Sequence, residues 1–180
     1  ACQHPPPADV QTPRLMPFVI GDDDTLLHPE FGEAGAALAS LISACRRSLW
    51  LRVPELDALT ADSAVCDTLK RLALSSAKTD IRIQYDSQDK AVRNGHRLVH
   101  LARRLPSRIQ MRQSQDDDRD NQLCFAIGDG TGLFEAAGWP RPGRLDLCGH
   151  RLPRAPRLAR QFQEHWERAA SSIELRELRL

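Results

Sequence analysis

The sequence predicts an α/β fold, a mixed sheet with helices on both faces of a single domain, and three observations carry the prediction. A helix pattern followed by a strand pattern recurs, the apolar spacing drops from three-and-four to two within each unit, and an amphipathic stretch follows the last strand pattern. The 180 residues fit one domain of ordinary size, and 41% hydrophobic with 27% charged residues is a globular composition.

Residues 1–16 hold Pro5, Pro6, Pro7 and Pro13 with few apolar side chains, so they read as a leader or linker joining the domain to a neighbouring domain in a longer chain. The domain is expected over residues 17–172, with a tail over 173–180. After the acidic turn Asp22–Asp24, the residues Phe31, Ala34, Leu38, Leu41, Ile42 and Cys45 make the apolar stripe of a first helix, and Arg46 and Arg47 suit the negative end of its dipole. Ser48 to Val53 reads as a buried strand stopped by Pro54. Thr60 is the expected cap of a second helix with Val65, Leu69 and Leu72 inward, and Asp80 to Gln84 alternates as a second strand. A third helix is expected from Lys90 to Leu105, closed by Pro106, then a strand over 108–112 and an acidic loop at Asp116–Asp118. A strand near 122–130, a last strand at 145–148 and a closing helix from Arg154 to Ala170, with Leu158, Phe162 and Trp166 on one face, complete the series.

Lys plus Arg number 25 against 24 Asp plus Glu, so net charge alone calls for neither nucleic acid nor an acidic membrane surface. No run approaches the ~18 apolar residues of a membrane helix, and no basic-then-apolar signal peptide opens the chain. A cytoplasmic protein with reduced thiols is expected, because Cys2, Cys45, Cys66, Cys124 and Cys148 are odd in number and include no C-x-x-C pair. No metal and no cofactor are expected.

The stretch Gln122-Leu123-Cys124-Phe125-Ala126-Ile127-Gly128-Asp129-Gly130 resembles the His-x-Lys-x4-Asp-Gly signature of the phospholipase D-like superfamily in its apolar run and Asp-Gly turn. The resemblance extends over roughly residues 35–170: Leu41 to Leu51 is similar to the family's opening helix and first strand, and Ala159 to Ala169 to its closing helix with Phe162 and Trp166. The resemblance is to one half of the double-domain enzymes, or to the single-motif bacterial members that pair as homodimers and share an active site across the interface. What it implies is a phospholipase D-like fold with the chemistry removed. Gln122 falls on the position of the nucleophilic His, Cys124 on that of the phosphate-holding Lys, and Asp129 on the Asp. The polar residues the family places after the motif are replaced by Phe134 to Ala137. No catalytic residue is therefore expected, and the implied role is a binding or assembly module, for a phosphate-containing ligand or as a homodimer. The alternatives are a diverged phosphodiesterase or phosphotransferase working through His96 and Arg97, and a nucleic-acid-binding domain.

Ligands of open α/β sheets gather outside the carboxyl ends of the strands. That rule nominates Glu55, Asp57, Tyr85 and Asp86, together with Arg93, His96 and Arg97 of the third helix, as binding residues. Arg93, Arg97, His100 and Arg104 are spaced to share one helix face that phosphates could meet. His96 and His100 have the i, i+4 spacing of a metal clamp, but the surrounding arginines would repel a cation. A second basic run, His150 to Arg160, carries five positive groups and two prolines that are expected to keep its front extended. A small buried residue on a core strand is the plain reading of Cys124, and a solvated loop that of Asp116–Asp118.

Overall fold

The computed structural model describes residues 19–171, the side chains of residues 92–94 and 170–171 excepted. The element order is α1 (Ala34–Ala44), β1 (Ser48–Glu55), α2 (Ser63–Ser75), β2 (Asp80–Ser87), α3 (Asp89–Asn94), α4 (Arg97–Arg104), β3 (Ile109–Gln113), β4 (Phe125–Gly128), β5 (Gly132–Glu135), β6 (Asp146–Cys148), α5 (Arg154–Arg168) and β7 (Ala170–Ser171). The leader 1–16 and the tail 173–180 lie outside the described residues.

The strands form one mixed sheet in the order β6-β5-β4-β1-β2-β3-β7, with β1, β2 and β3 parallel and the others antiparallel to their neighbours. The period of two along each strand sorts the side chains onto two faces. Leu49, Leu51, Val53, Ile81, Ile83, Tyr85, Ala126 and Phe134 enter a core with Leu38, Leu41, Leu69 and Leu98 of α1, α2 and α4. Phe125, Ile127 and Leu133 face the other way and meet Leu158, Phe162 and Trp166 of α5. Trp50 stacks on Phe162 with ring centroids 5.3 Å apart, and Phe162 on Trp166 at 5.7 Å. Each such aromatic removed from water is worth ~1.5–3 kcal/mol, which is how one helix covers the sheet alone.

The expected helix over 90–105 is two helices. Gly95 has φ +70°, a conformation that ends α3, and His96 then caps α4 by accepting the Leu98 N–H at Nδ1. Arg93, Arg97, His100 and Arg104 therefore share no continuous helix face, and His96 and His100 are not an i, i+4 pair within one helix. Thr60 is not the cap of α2; Asp62 is, accepting from Val65 N at 3.1 Å. Pro54 does not stop β1, because the antiparallel pairing to β4 ends at Arg52 and leaves one side of the strand free for a residue with no N–H. Phe31 sits in a 3-10 turn ahead of α1 and is exposed, and Arg46 and Arg47 follow the α1 cap, Cys45.

The basic run is non-helical over 150–153 and turns helical at Arg154: Pro153 is the cap of α5 and Pro156 lies in its first turn, where the N–H that proline lacks has no helical partner. Strand β5 was not expected. It pairs β4 across the turn Asp129-Gly130, where the Asp129 carboxylate accepts the backbone N–H groups of Arg46, Arg47 and Ser48 at 2.8–3.2 Å. Asp129 thus fastens this turn to the start of β1. Gly128 is required beside it, since a Cβ there would lie 2.6 Å from the Cys45 sulfur.

The centre of the sheet holds a buried charge. Arg52, 1% exposed on the middle strand, donates from Nη2 to Asp86 Oδ1 at 2.7 Å and from Nη1 to the Val53 carbonyl at 2.7 Å. The second Asp86 oxygen accepts the Asp120 N–H at 3.1 Å. Removing one member of such a pair strands the other charge, at a cost of ~3–5 kcal/mol, whereas replacing both with apolar groups does not. Urea unfolding of Asp86→Leu is expected to show a loss of that size, and the Arg52→Met, Asp86→Leu double variant a smaller one.

Candidate functional site

The carboxyl ends of β1, β2 and β3 share one rim with the front ends of α1 and α2, as the approach of Gly35 to the Asp62 carboxylate shows: a Cβ on Gly35 would meet it at 2.7 Å. The nominated residues lie along this rim but not in one cleft, because strand alternation divides them between the two faces of the sheet. Tyr85 points into the α2 and α4 core and is fully buried. Asp86, its neighbour, points to the α5 face and is engaged by Arg52. Glu55 accepts the Lys90 N–H at 3.0 Å, which holds α3 against the end of β1. Arg97 is exposed at the start of α4, and the Arg93 side chain is outside the described set.

Asp57 and His96 do come together. His96 is 6% exposed; its Nε2 lies 2.9 Å from Thr60 Oγ1 and 3.1 Å from the Asp57 carbonyl, while its Nδ1 takes the Leu98 N–H. The Nδ1 contact fixes the proton on Nε2, so neither ring nitrogen offers a free lone pair. The Asp57 carboxylate accepts the indole N–H of Trp139 at 2.6 Å and the Leu59 N–H at 3.0 Å. Trp139 in turn stacks on Phe31 at 5.4 Å. Neither Trp139 nor Phe31 was nominated as a rim residue, and in a loop no periodicity points to such a pair.

The motif stretch begins at the same rim with Gln122 and runs away from it along β4, so that Asp129 lies at the opposite end of the sheet, beside the start of β1. Gln122 is exposed; its backbone carbonyl accepts the Gly138 N–H and its side-chain amide donates to Asn121. Cys124 is 1% exposed, as a small buried core residue, and burial pushes its thiol well above the ordinary range, with the Asp57 charge adding to the rise. Cys45, Cys66 and Cys148 are also free and buried, and burial raises Cys66 to about 11. On the α5 side, Asp118 is not a solvated loop residue: Arg168 holds it with two bonds of 2.9 Å and so keeps its carboxyl below the usual range.

The electrostatics of the rim follow from this inventory. Among the described residues, Glu55, Asp57, Asp62 and Asp120 are placed at this end by their contacts, against Lys90 and Arg97 at the starts of α3 and α4. A phosphodiester would meet more carboxylates than cations there.

Burial holds His96 below the ordinary imidazole range, opposed by the Asp57 carbonyl and carboxylate and reinforced by His100. The unfolded chain takes up this proton near pH ~6.5 and the folded chain only at lower pH. The stability it represents is complete above that value and is lost as the pH falls below it. The urea midpoint is accordingly expected to drop between pH 7.5 and 5.5, and to drop less in His96→Asn, which keeps a capping side chain but does not titrate. Equal pH dependence in the two proteins would remove His96 as the cause.

No curated protein matches this chain. Among solved structures, the phospholipase D family member Nuc from Salmonella typhimurium aligns with a TM-score of 0.58 at 12% identity, over 82% of this chain and 95% of its own. NucT from Helicobacter pylori aligns with a TM-score of 0.57 at 15% identity, over 82% and 98%. TrmBL2, an archaeal chromatin protein whose structure shows a mode of DNA binding, aligns with 0.55 at 11% identity, over 84% of this chain and 55% of its own. The shared feature at these identities is the fold, a phospholipase D-like mixed sheet flanked by helices. The family model described as "Domain of unknown function (DUF7931)" matches residues 30–178, and the chain belongs to that family.

Proposed function

We propose that this domain is a catalytically silent phospholipase D-like module that works by binding or assembly. The burial of Cys124 at the position corresponding to the phosphate-holding lysine is the observation that carries the reading. A side chain there is sealed beneath the rim, uncharged, and unable to reach an oxyanion. Gln122, at the position of the nucleophile, has an amide with no useful nucleophilicity toward phosphorus. His96 does not replace it, since both of its ring nitrogens are engaged by Leu98, Thr60 and Asp57. Asp129 keeps a structural duty that needs no substrate: it ties the turn after β4 to the start of β1.

A second reading, nucleic-acid binding, is favoured by one specific feature. Arg157 and Arg160 lie exposed on the outer side of α5, and among the described residues no carboxylate pairs with either, whereas Arg154 is held by Glu135. A pair of free guanidiniums beside a helix is a modest electrostatic footprint for phosphates. TrmBL2 lends the fold a precedent for DNA binding.

One preparation tests both. Purified protein incubated with bis(p-nitrophenyl) phosphate and with single-stranded DNA is expected to release no product above the buffer rate. Turnover that disappears in Cys124→Ala or His96→Asn would overturn the silent-module reading. In the same preparation, DNA affinity that falls steeply with salt and weakens in Arg157→Ala, Arg160→Ala would establish the second reading. Salt-insensitive or absent binding would remove it.

A further inference from the structure

Beneath α5 the sheet carries a group of buried polar atoms that no protein atom satisfies. Arg52 is 1% exposed, Gln84 0% and Ser114 5%, yet Arg52 Nε, both side-chain atoms of Gln84, and Ser114 Oγ have no hydrogen-bond partner. Register puts them side by side. Arg52 is the direct cross-strand partner of Gln84, Gln84 that of Arg112, and Ser114 follows the end of β3 two residues beyond Arg112, with its N–H on the Tyr85 carbonyl. Unpaired buried polar groups each cost ~1–3 kcal/mol, so four in one place are not left empty by a stable fold.

We propose that this group is an internal hydration site, in which ordered water bridges β1, β2 and β3 under the last turns of α5. The chemistry of the orphan atoms selects the occupant. Arg52 Nε and the Gln84 amide nitrogen need an acceptor, Gln84 Oε1 needs a donor, and the Ser114 hydroxyl serves as either. The Arg52 guanidinium charge is already cancelled by Asp86 at 2.7 Å and Arg112 is drawn onto Trp166, over its ring and donating to its carbonyl at 2.9 Å, so an anion would sit against the Asp86 carboxylate and a cation against Arg52. A small neutral molecule that donates and accepts meets every requirement, and about two waters at ~3 hydrogen bonds each satisfy all four atoms. The apolar part of the α5 interface, around Phe162, lies beside this wet end and needs no such filling.

A crystal structure of the full chain at high resolution tests the site directly. Water within hydrogen-bond distance of the Gln84 amide, and of Arg52 Nε or Ser114 Oγ, is the expected result. A dry space, a Gln84 side chain turned onto a protein partner, or an oxyanion in place of water overturns it. The sign of a stability change tests it independently. In a hydrated site Gln84→Leu expels the water, strands Arg52 Nε and Ser114, and lowers the Tm or leaves it unchanged. In a dry site the same substitution removes two unsatisfied atoms and raises the Tm, which would refute the assignment.

Discussion

A guanidinium on the middle strand of a seven-stranded sheet is the constraint on which the rest of this structure hangs. Arg52 cannot be solvated where it lies, so its charge must be met by protein, and Asp86 on the next strand meets it. From that pair the connections spread outward. The other oxygen of Asp86 takes the Asp120 N–H, Arg52 reaches the Asp118 carbonyl at 3.4 Å, and the Asp118 carboxylate takes Arg168 at the end of α5. The loop that delivers the chain to β4 and the last turn of the covering helix are thus both anchored to one buried ion pair.

That anchoring bears on what the rim can do. In a phosphodiesterase built on this sheet, the residues ahead of β4 would have to present a nucleophile and a cation to solvent. Here the loop before β4 is tied to the α5 face, Cys124 is turned into the opposite core, and Trp139 is bonded to the Asp57 carboxylate at 2.6 Å. Glu55, Asp57, Asp86 and His96 each make hydrogen bonds within the protein that tie elements of the domain together. On the proposed reading, the surfaces left for other molecules include the outer side of α5 and the exposed Phe31.

The fold was legible where periodicity is long and unbroken. The stripe Leu158, Phe162, Trp166 and the alternation Ile81, Ile83 located α5 and β2, and the order of helix and strand gave the mixed sheet. Legibility failed where a single residue overrides the pattern. Gly95 divides what reads as one helix, Asp62 takes the cap for which Thr60 is also a suitable residue type, and the short strand β5 has too few residues to show a period. For the site, the strand-end rule located the rim but not its wiring. The same alternation that placed Ile81 and Ile83 inward also sets Arg82, Gln84 and Asp86 on the opposite face. Applied to Leu51, Arg52 and Val53, it would have faced Arg52 toward Asp86. Trp139 and Phe31 carried no such signal, because they meet only through tertiary structure.

The central claim is that the rim is closed and holds no phosphate, and the most direct measurement is a crystal structure of the protein soaked with tungstate, a heavy oxyanion that mimics phosphate. The account predicts no anomalous peak beside Gln122 and Cys124, with Trp139 still bonded to Asp57. An ordered tungstate at that position, with Trp139 displaced and arginine or His96 side chains drawn onto the oxyanion, would contradict it and return the domain to the phosphodiester-binding members of its fold.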